Sequence, residues 1–265
     1  MTMLSENLTT ETIRQSLATR IVGQKVLYYP SLPSTMDIAR QEVASGTPEG
    51  TVIVADEQTA GRGRLKRSWL TPTGNVALSV VFYPRLSELP SLVMMASLAV
   101  VCTIESTAGL NAVIKWPNDV LIAGRKVCGI LIEADARPVD GDRATYAIIG
   151  IGINVTLDPA GFPEIEPTAT SLYSETGKQI SRLAVIRELL KELDRLYLSL
   201  ESGASLFEKW RDRIVTLGRM VTVTSIDSAF EGFAQSVERD GSLLVRCADG
   251  AIKRVVAGDV TLKTR

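Results

Sequence analysis

Lys115-Trp116-Pro117-Asn118-Asp119, followed by Gly124-Arg125-Lys126-Val127-Cys128-Gly129 and Ile130-Leu131-Ile132-Glu133, sets two lysines and an aspartate around short strands. Ala112 to Lys115, Val120 to Ile122 and Val127 to Glu133 read as strands, with Ala123-Gly124-Arg125 turning between the last two. Pro117 fixes its own backbone and biases Trp116 towards an extended conformation. Asn118-Asp119 then reads in two ways. One is an ordinary turn beside a surface lysine. The other is a site in which Asp119 holds Mg2+ through carboxylate oxygen and Lys126 neutralises a phosphate. The segment alone supports both equally.

Working outward, Ile13, Leu17 and Ile21 at four-residue spacing predict a helix from Thr10 to Ile21. Ser34-Thr35-Met36-Asp37 has the S-x-x-D form that opens a helix, here running to about Ser45. Thr51 to Ala55 and Asn75 to Phe82 read as strands, and Leu89 to Ala108 as a long core helix. Thr145 to Asn154 is a further strand ending in Gly150-Ile151-Gly152-Ile153-Asn154. Helix resumes from Ser181 to about Leu200, with Leu183, Ile186, Leu190, Leu193 and Leu196 on one side, and a second piece covers Leu206 to Ile214. After Gly218 the texture changes to short strands at Met220 to Thr224, Ala229 to Glu238, Ser242 to Cys247, Ile252 to Val256 and Val260 to Lys263. The turn pairs Asp240-Gly241 and Asp249-Gly250 punctuate them, which predicts a small β-barrel and a chain divided into 1–216 and 217–265.

Of the 265 residues, 45% are apolar, enough for one sizeable core and a second small one. Lys and Arg number 29 against 30 Asp and Glu, so no basic field for nonspecific nucleic-acid binding is implied. The absence of histidine removes the commonest general base and metal ligand, and with them Ser-His and Cys-His triads. Cys102, Cys128 and Cys247 lie too far apart for a zinc or disulfide pattern, and Cys128 reads as a small core hydrophobe. Met1 to Gln24 lacks a signal-peptide core, and the apolar run from Leu92 to Ile104 is short for a membrane span. The expectation is a cytoplasmic chain, in which the sequons at Asn7 and Asn154 carry no consequence.

A second cluster is Gln58-Thr59-Ala60-Gly61-Arg62-Gly63-Arg64-Leu65-Lys66-Arg67-Ser68-Trp69. Its glycines let the backbone approach a ligand, and Arg62, Arg64, Lys66 and Arg67 crowd four cations together. The loop reads as an anion site, as a solvated basic loop, or as an RNA contact. No P-loop sequence occurs, and Gly150-x-Gly152 lacks the third glycine of the dinucleotide fingerprint, Val155 standing there.

Taken in order, Gly61 to Arg64 (GRGR), Lys115 to Asp119 (KWPND), Gly124 to Glu133 (G-x-K-x-x-G-I-L-x-E) and Gly150 to Asn154 (G-x-G-x-N), with Ser34-Thr35-Met36 before them, closely resemble the class I biotin protein ligases. The resemblance spans roughly residues 30 to 160. The C-terminal β-region is similar to that family's SH3-like domain. The implied fold is α+β: a mixed β-sheet catalytic domain with flanking helices, like that of class II aminoacyl-tRNA synthetases, plus the small SH3-like barrel. The implied reaction has two steps. Biotin and MgATP give biotinyl-5′-AMP and pyrophosphate, and a lysine of a biotin carboxyl carrier protein then attacks the acyl-adenylate and releases AMP.

The resemblance also implies roles. Lys126, Arg64 and Asp119 are the catalytic set, with Asp119 the Mg2+ ligand. Ser34, Thr35, Gln58, Gly61, Arg62, Arg64, Lys126, Gly129 and Leu131 surround biotin. Arg62, Arg64, Trp69, Lys115, Asn118, Gly150, Gly152 and Asn154 surround ATP or the adenylate. The second step needs a neutral amine, which for a free lysine of pKa about 10.4 costs roughly 4–5 kcal/mol at pH 7. Asp119 is the local candidate to accept or orient that proton. Dimerisation is common in the family, and an exposed sheet edge would provide a route.

Two departures stand out: Leu65 and Lys66 where the family's loop often continues with glycine and arginine, and Met36 where asparagine is usual. Only 33 residues precede Ser34, so the expectation is a monofunctional ligase with no DNA-binding winged helix and no membrane association. The alternatives are a lipoate or octanoyl ligase on the same fold, and a noncatalytic nucleotide- or RNA-binding module. The KWPND and GRGR pair and the missing histidine argue against the first, and the balanced charge argues against the second.

Overall fold

The computed structural model describes residues 8–139, 141–224 and 229–262. The sequon at Asn7, the strand end at Lys263 and the Lys66 side chain lie outside the described residues. The first helix, α1 (Thr10–Arg14), is shorter than the apolar spacing predicts. The carboxylate of Asp194, which sits on a later helix, accepts the backbone N–H groups of Arg20, Ile21 and Val22 at 3.0, 2.7 and 2.8 Å. Those groups would otherwise pair with carbonyls four residues earlier, so this tertiary contact holds the segment out of the helix.

β1 (Val26–Leu32), α2 (Thr35–Ala44), β2 (Val52–Gln58), β3 (Val76–Phe82) and α3 (Ser91–Ala108) follow. Next come β4 (Val113–Lys115), β5 (Asp119–Ile122), β6 (Arg125–Val139), β7 (Arg143–Ile153), α4 (Leu172–Thr176), α5 (Arg182–Glu201) and α6 (Phe207–Arg211). The strands form one seven-stranded sheet in the order β1-β2-β3-β7-β6-β5-β4. It is mixed: β1 and β2 run parallel, and the remaining pairs are antiparallel. The β5–β6 turn sits where expected, with Ala123 and Gly124 both left-handed at φ 48° and 80°. That is the primed geometry a two-residue hairpin needs.

Alternation along β3 splits its side chains between two layers. Val76, Leu78, Val80 and Phe82 join the core under α3 and α5, while Val81 faces α2 together with Met36, Ala39, Ile53, Ala55 and Ile148. α3 is long and apolar enough to cross a membrane, yet 61% of it is buried within the fold, as befits a core helix. Ser34 occupies the N-cap of α2, which opens and ends where the S-x-x-D form predicts, but it makes no side-chain cap hydrogen bond, so its hydroxyl is free of that duty. The helix expected to reach Ile214 stops at Arg211. Beyond it the chain joins β4, through Ile114 N to Arg213 O and Val215 N to Ile114 O, both 2.8 Å.

The C-terminal strands β8 (Met220–Thr224), β9 (Ala229–Val237), β10 (Leu243–Arg246), β11 (Ile252–Val255) and β12 (Asp259–Leu262) form a second, antiparallel sheet in the order β11-β10-β9-β8-β12. Among the described residues β11 and β12 do not pair, so hydrogen bonds do not close this sheet into a barrel. Its core is continuous with the larger one: Val221, Ala234, Leu243 and Val245 fall in the same apolar cluster as Trp116 and Trp210. Trp116 carries the join. Its indole N–H donates to Gly241 O at 2.8 Å and its backbone N–H to Thr216 Oγ1 at 2.9 Å. The expectation of a mixed α+β body with a smaller C-terminal β-unit is borne out.

Candidate active site

A β-bulge decides which side chains share the α2 face of the sheet. Val120 pairs with Cys128, but Leu121 pairs with Lys126, leaving Val127 as the extra residue on β6. Strict alternation would place Lys126 and Gly129, three residues apart, on opposite faces. The bulge brings them to the same face, in the manner by which bulges re-aim side chains beside sites. The register then lays a row across the sheet, Asp119–Gly129–Gly152–Ala77, and beside it a second, Leu131–Gly150–Ser79.

Over this floor lies the basic loop, which is a small hydrogen-bonded flap. Trp69 N donates to Gly61 O at 2.9 Å, Gly63 N to Arg67 O at 2.8 Å and Arg67 N to Arg64 O at 3.1 Å. Leu65 at the tip is left-handed, φ 53° and ψ 37°, and 45% exposed. A Cβ on Gly61 would fall 2.3 Å from Trp69 O, so only glycine lets the two flap strands approach this closely. Each arginine whose side chain is described has a partner. Arg62 meets Asp37 at 2.6 Å, Arg64 donates to Asn118 Oδ1 at 2.9 Å, and Arg67 pairs with Asp259 from the C-terminal sheet.

Two cavities flank the flap. The smaller, about 110 Å³, is lined by Ser34, Thr35, Gln58, Arg62, Arg64, Gly129, Leu131, Gly150 and Gly152, among others. The larger, about 660 Å³, is lined by Lys115, Gly124, Asn154, Leu157, Ile165 and Leu262, among others. Arg67, Ser68, Trp69, Asp119 and Lys126 line both, and so stand between them. The residues assigned to biotin thus gather around the smaller cavity, Gly61 excepted, which lines neither. Of those assigned to ATP, Trp69, Lys115 and Asn154 border the larger cavity, while Asn118, Gly150 and Gly152 border the smaller.

Three of these residues hold the frame. The Asn118 carboxamide accepts from Arg64 and donates to Ile130 O at 2.7 Å, pinning the KWPND turn to β6. Asn154 is buried, and its carboxamide donates to Thr170 O at 3.0 Å. Thr170 N in turn donates to Lys126 O, and Lys126 N to Thr168 O, so Asn154 supports the strand that carries Lys126. Gln58 Oε1 accepts the Thr35 N–H at 2.9 Å and the Thr35 hydroxyl at 3.1 Å, tying β2 to the start of α2.

Lys126 Nζ sits 2.6 Å from Asp119 Oδ1 and 5.3 Å from the centre of the Trp69 ring. Lys115 lies 3.9 Å from Asp119 Oδ2. Trp69 stands over the two glycines of the floor: a Cβ on Gly152 would fall 2.1 Å from its Nε1, and one on Gly129 3.1 Å from its ring. Burial lowers the pKa of Arg64 from its ordinary value, with Asp259 and Asp119 opposing that shift. Burial pushes the Cys128 thiol well up, as expected of a core residue with no exposed surface. Among the described residues no group of three or more carboxylate, thiol or imidazole side chains forms a metal cage. Asp119 on the shared wall fits a hard cation held mainly by substrate phosphates, which is how Mg2+ is commonly bound.

Sequence reasoning missed Ser79, whose buried hydroxyl donates to Thr35 Oγ1 at 2.8 Å. It also missed Asp259, Asp37 and the bulge at Val127. Met36, noted as a departure, packs its sulfur against Gly150, where a Cβ would fall 2.8 Å from it. Asp37 stands in the sequence only as the last residue of a helix-opening motif, and no short motif marks Ser79, Asp259 or the bulge, since each is placed by tertiary pairing.

Residues 28–154 match the biotin/lipoate A/B protein ligase family, and residues 216–263 match the biotin protein ligase C-terminal domain. The chain is 38% identical over 256 residues to the bifunctional ligase/repressor BirA of Bacillus subtilis, covering 94% of this chain and 78% of that one. It is 34% identical over 240 residues to the biotin–[acetyl-CoA-carboxylase] ligase of Mycobacterium tuberculosis, covering 84% and 83%. Its fold superposes on the biotin protein ligase of Aquifex aeolicus solved with biotin and ATP, with TM-score 0.76 and 29% identity over 91% of this chain and all of that one. Two domain matches in order, long relatives above the level of chance likeness, and a shared fold agree: the chain belongs to the biotin/lipoate A/B protein ligase family and is a biotin protein ligase.

Proposed function

We propose that biotin occupies the smaller cavity and ATP the larger, and that they react across the wall between them. The observation that carries this reading is the position of Lys126, which lines both cavities and pairs with Asp119 on the wall between them. In the first step the biotin carboxylate attacks the α-phosphorus of ATP and pyrophosphate leaves. Two anions must meet, and preorganised cations in a partly desolvated site lower that barrier. Arg62 and Arg64 face the carboxylate and the developing phosphate ester, and Lys126 neutralises charge at the centre. Trp69 packs beside the adenylate. Ser34, Thr35 and Gln58 supply uncharged partners for the ureido ring, and Gly129 and Leu131 its apolar wall. Mg2+, with Asp119 as its protein ligand, would neutralise the triphosphate.

In the second step the neutral lysine amine of a biotin carboxyl carrier protein attacks the acyl carbon, the bond from that carbon to the phosphate oxygen breaks, AMP leaves with the bonding electrons, and the amine's proton passes to solvent. Lys115 and Lys126 already contact the Asp119 carboxylate, which suits Asp119 to orient cations around the leaving group. The flap shields the mixed anhydride from water until the carrier arrives. The near-balanced charge supports a ligase without a DNA-binding role, and the three free thiols suit a reducing compartment.

Incubation with a biotin carboxyl carrier domain, biotin, ATP and Mg2+ tests this reading. The carrier is expected to gain one biotinyl group on one lysine, and chelation of the metal should stop the gain. A carrier left unmodified under those conditions would contradict it. Specific retardation of DNA in a gel at physiological salt would contradict the assignment without repression.

A further inference from the structure

Arg62 lines the smaller cavity, and what holds it there is a carboxylate outside every motif that marks the site. Asp37, in the first turn of α2, accepts Arg62 Nη2 on its Oδ1 at 2.6 Å. Arg40, one turn further along α2, donates to the same oxygen. The other terminal nitrogen of Arg40 lies 2.5 Å from Glu133 Oε2 on β6. Glu133, Arg40, Asp37 and Arg62 thus form one charged chain joining β6, α2 and the flap. Their side chains are 32 to 41% exposed, and pairs this exposed contribute little to stability. The pairing leaves the rest of the Arg62 fork directed to other acceptors. An arginine free of such a partner would have to be ordered each time a ligand binds.

We propose that Asp37 is a positioning residue for the adenylation step. It fixes one nitrogen of Arg62 so that the remaining N–H groups meet the carboxylate of biotin and then the phosphate of the adenylate. Arg40 and Glu133 hold Asp37 in turn. The proposal rests on the assignment of Arg62 to those anions. A purely local role, in which Asp37 only favours the N-terminus of α2, makes no link to Arg62.

The test is biotin-dependent pyrophosphate release by full-length Asp37→Asn, Asp37→Glu, Arg62→Ala and Asp37→Asn/Arg62→Ala proteins, with melting temperatures measured alongside. Asp37→Asn is expected to raise the biotin KM about fivefold while kcat stays within about twofold, and Asp37→Glu to recover most of that loss. In the Arg62→Ala background Asp37→Asn should add nothing, because the coupling runs through the arginine. Arg40→Gln, which loosens Asp37 from its other side, should show the same shift in smaller measure and serves if Asp37→Asn melts below the assay temperature. An unchanged KM in Asp37→Asn, or an equal rise with and without Arg62, overturns the proposal. A normal biotin KM in Arg62→Ala alone would instead sink the assignment of Arg62, and the positioning role with it.

Discussion

At Gly152 a single methyl group would fall 2.1 Å from Trp69 Nε1, so the indole must leave its place if the glycine becomes alanine. Gly152→Ala is expected to raise the KM for ATP at least about tenfold and to abolish any ATP-dependent change in Trp69 fluorescence. Unaltered ATP kinetics would show that Trp69 does not need that floor. Lys126 is the sharper case. Lys126→Ala should cut adenylate formation about a hundredfold or more with little change in melting temperature, since removing a charge-stabilising donor typically costs that much. Wild-type rates would remove Lys126 from the chemistry. Cys128, buried beside both, should resist alkylation by iodoacetamide at pH 8 in the folded protein and react once it is unfolded. At this scale much was legible. The motifs drew Lys126, Asp119, Trp69 and the two glycines to one place, while Ser79, Asp37 and Asp259 reach it through pairings that no spacing encodes.

Elements were legible where their own pattern governed them and not where a distant residue did. β3 and α3 are largely apolar runs and α5 carries one apolar face, and all three fall close to where the sequence predicts them. α1 ends early at Gln15 and the left-handed Ser16, and beyond that break Asp194, 172 residues or more away, takes three N–H groups of the segment that a longer helix would have paired. Asp194→Ala leaves those groups without that acceptor, two of its three bonds being only partly shielded from solvent. It should destabilise the fold by about 1–3 kcal/mol in a denaturant titration without changing the biotin KM. A loss under about 0.5 kcal/mol, the size of an ordinary surface change, would contradict that role. The bulge at Val127 was equally out of reach. A two-residue repeat read along β6 puts Lys126 and Gly129 on opposite faces, and only the register with β5 shows otherwise.

On the scale of the whole molecule, the C-terminal sheet is part of the enzyme's body. It shares an apolar core with the larger sheet, receives the Trp116 indole at Gly241, and sends Asp259 to Arg67 on the flap. Full-length protein should therefore melt in one calorimetric transition, and two separated transitions would contradict the shared core. The sequence marks the change of texture near Gly218, but the join is made by Trp116, which the motif alone presents as part of a phosphate site. The proposed reaction joins biotin and ATP across Lys126, between the two cavities. Pyrophosphate release with ATP and Mg2+, measured with biotin, with lipoate and with no acid, tests it most directly. Release with biotin alone is expected; release with lipoate but not biotin, or at the same rate with no acid at all, would contradict that reaction.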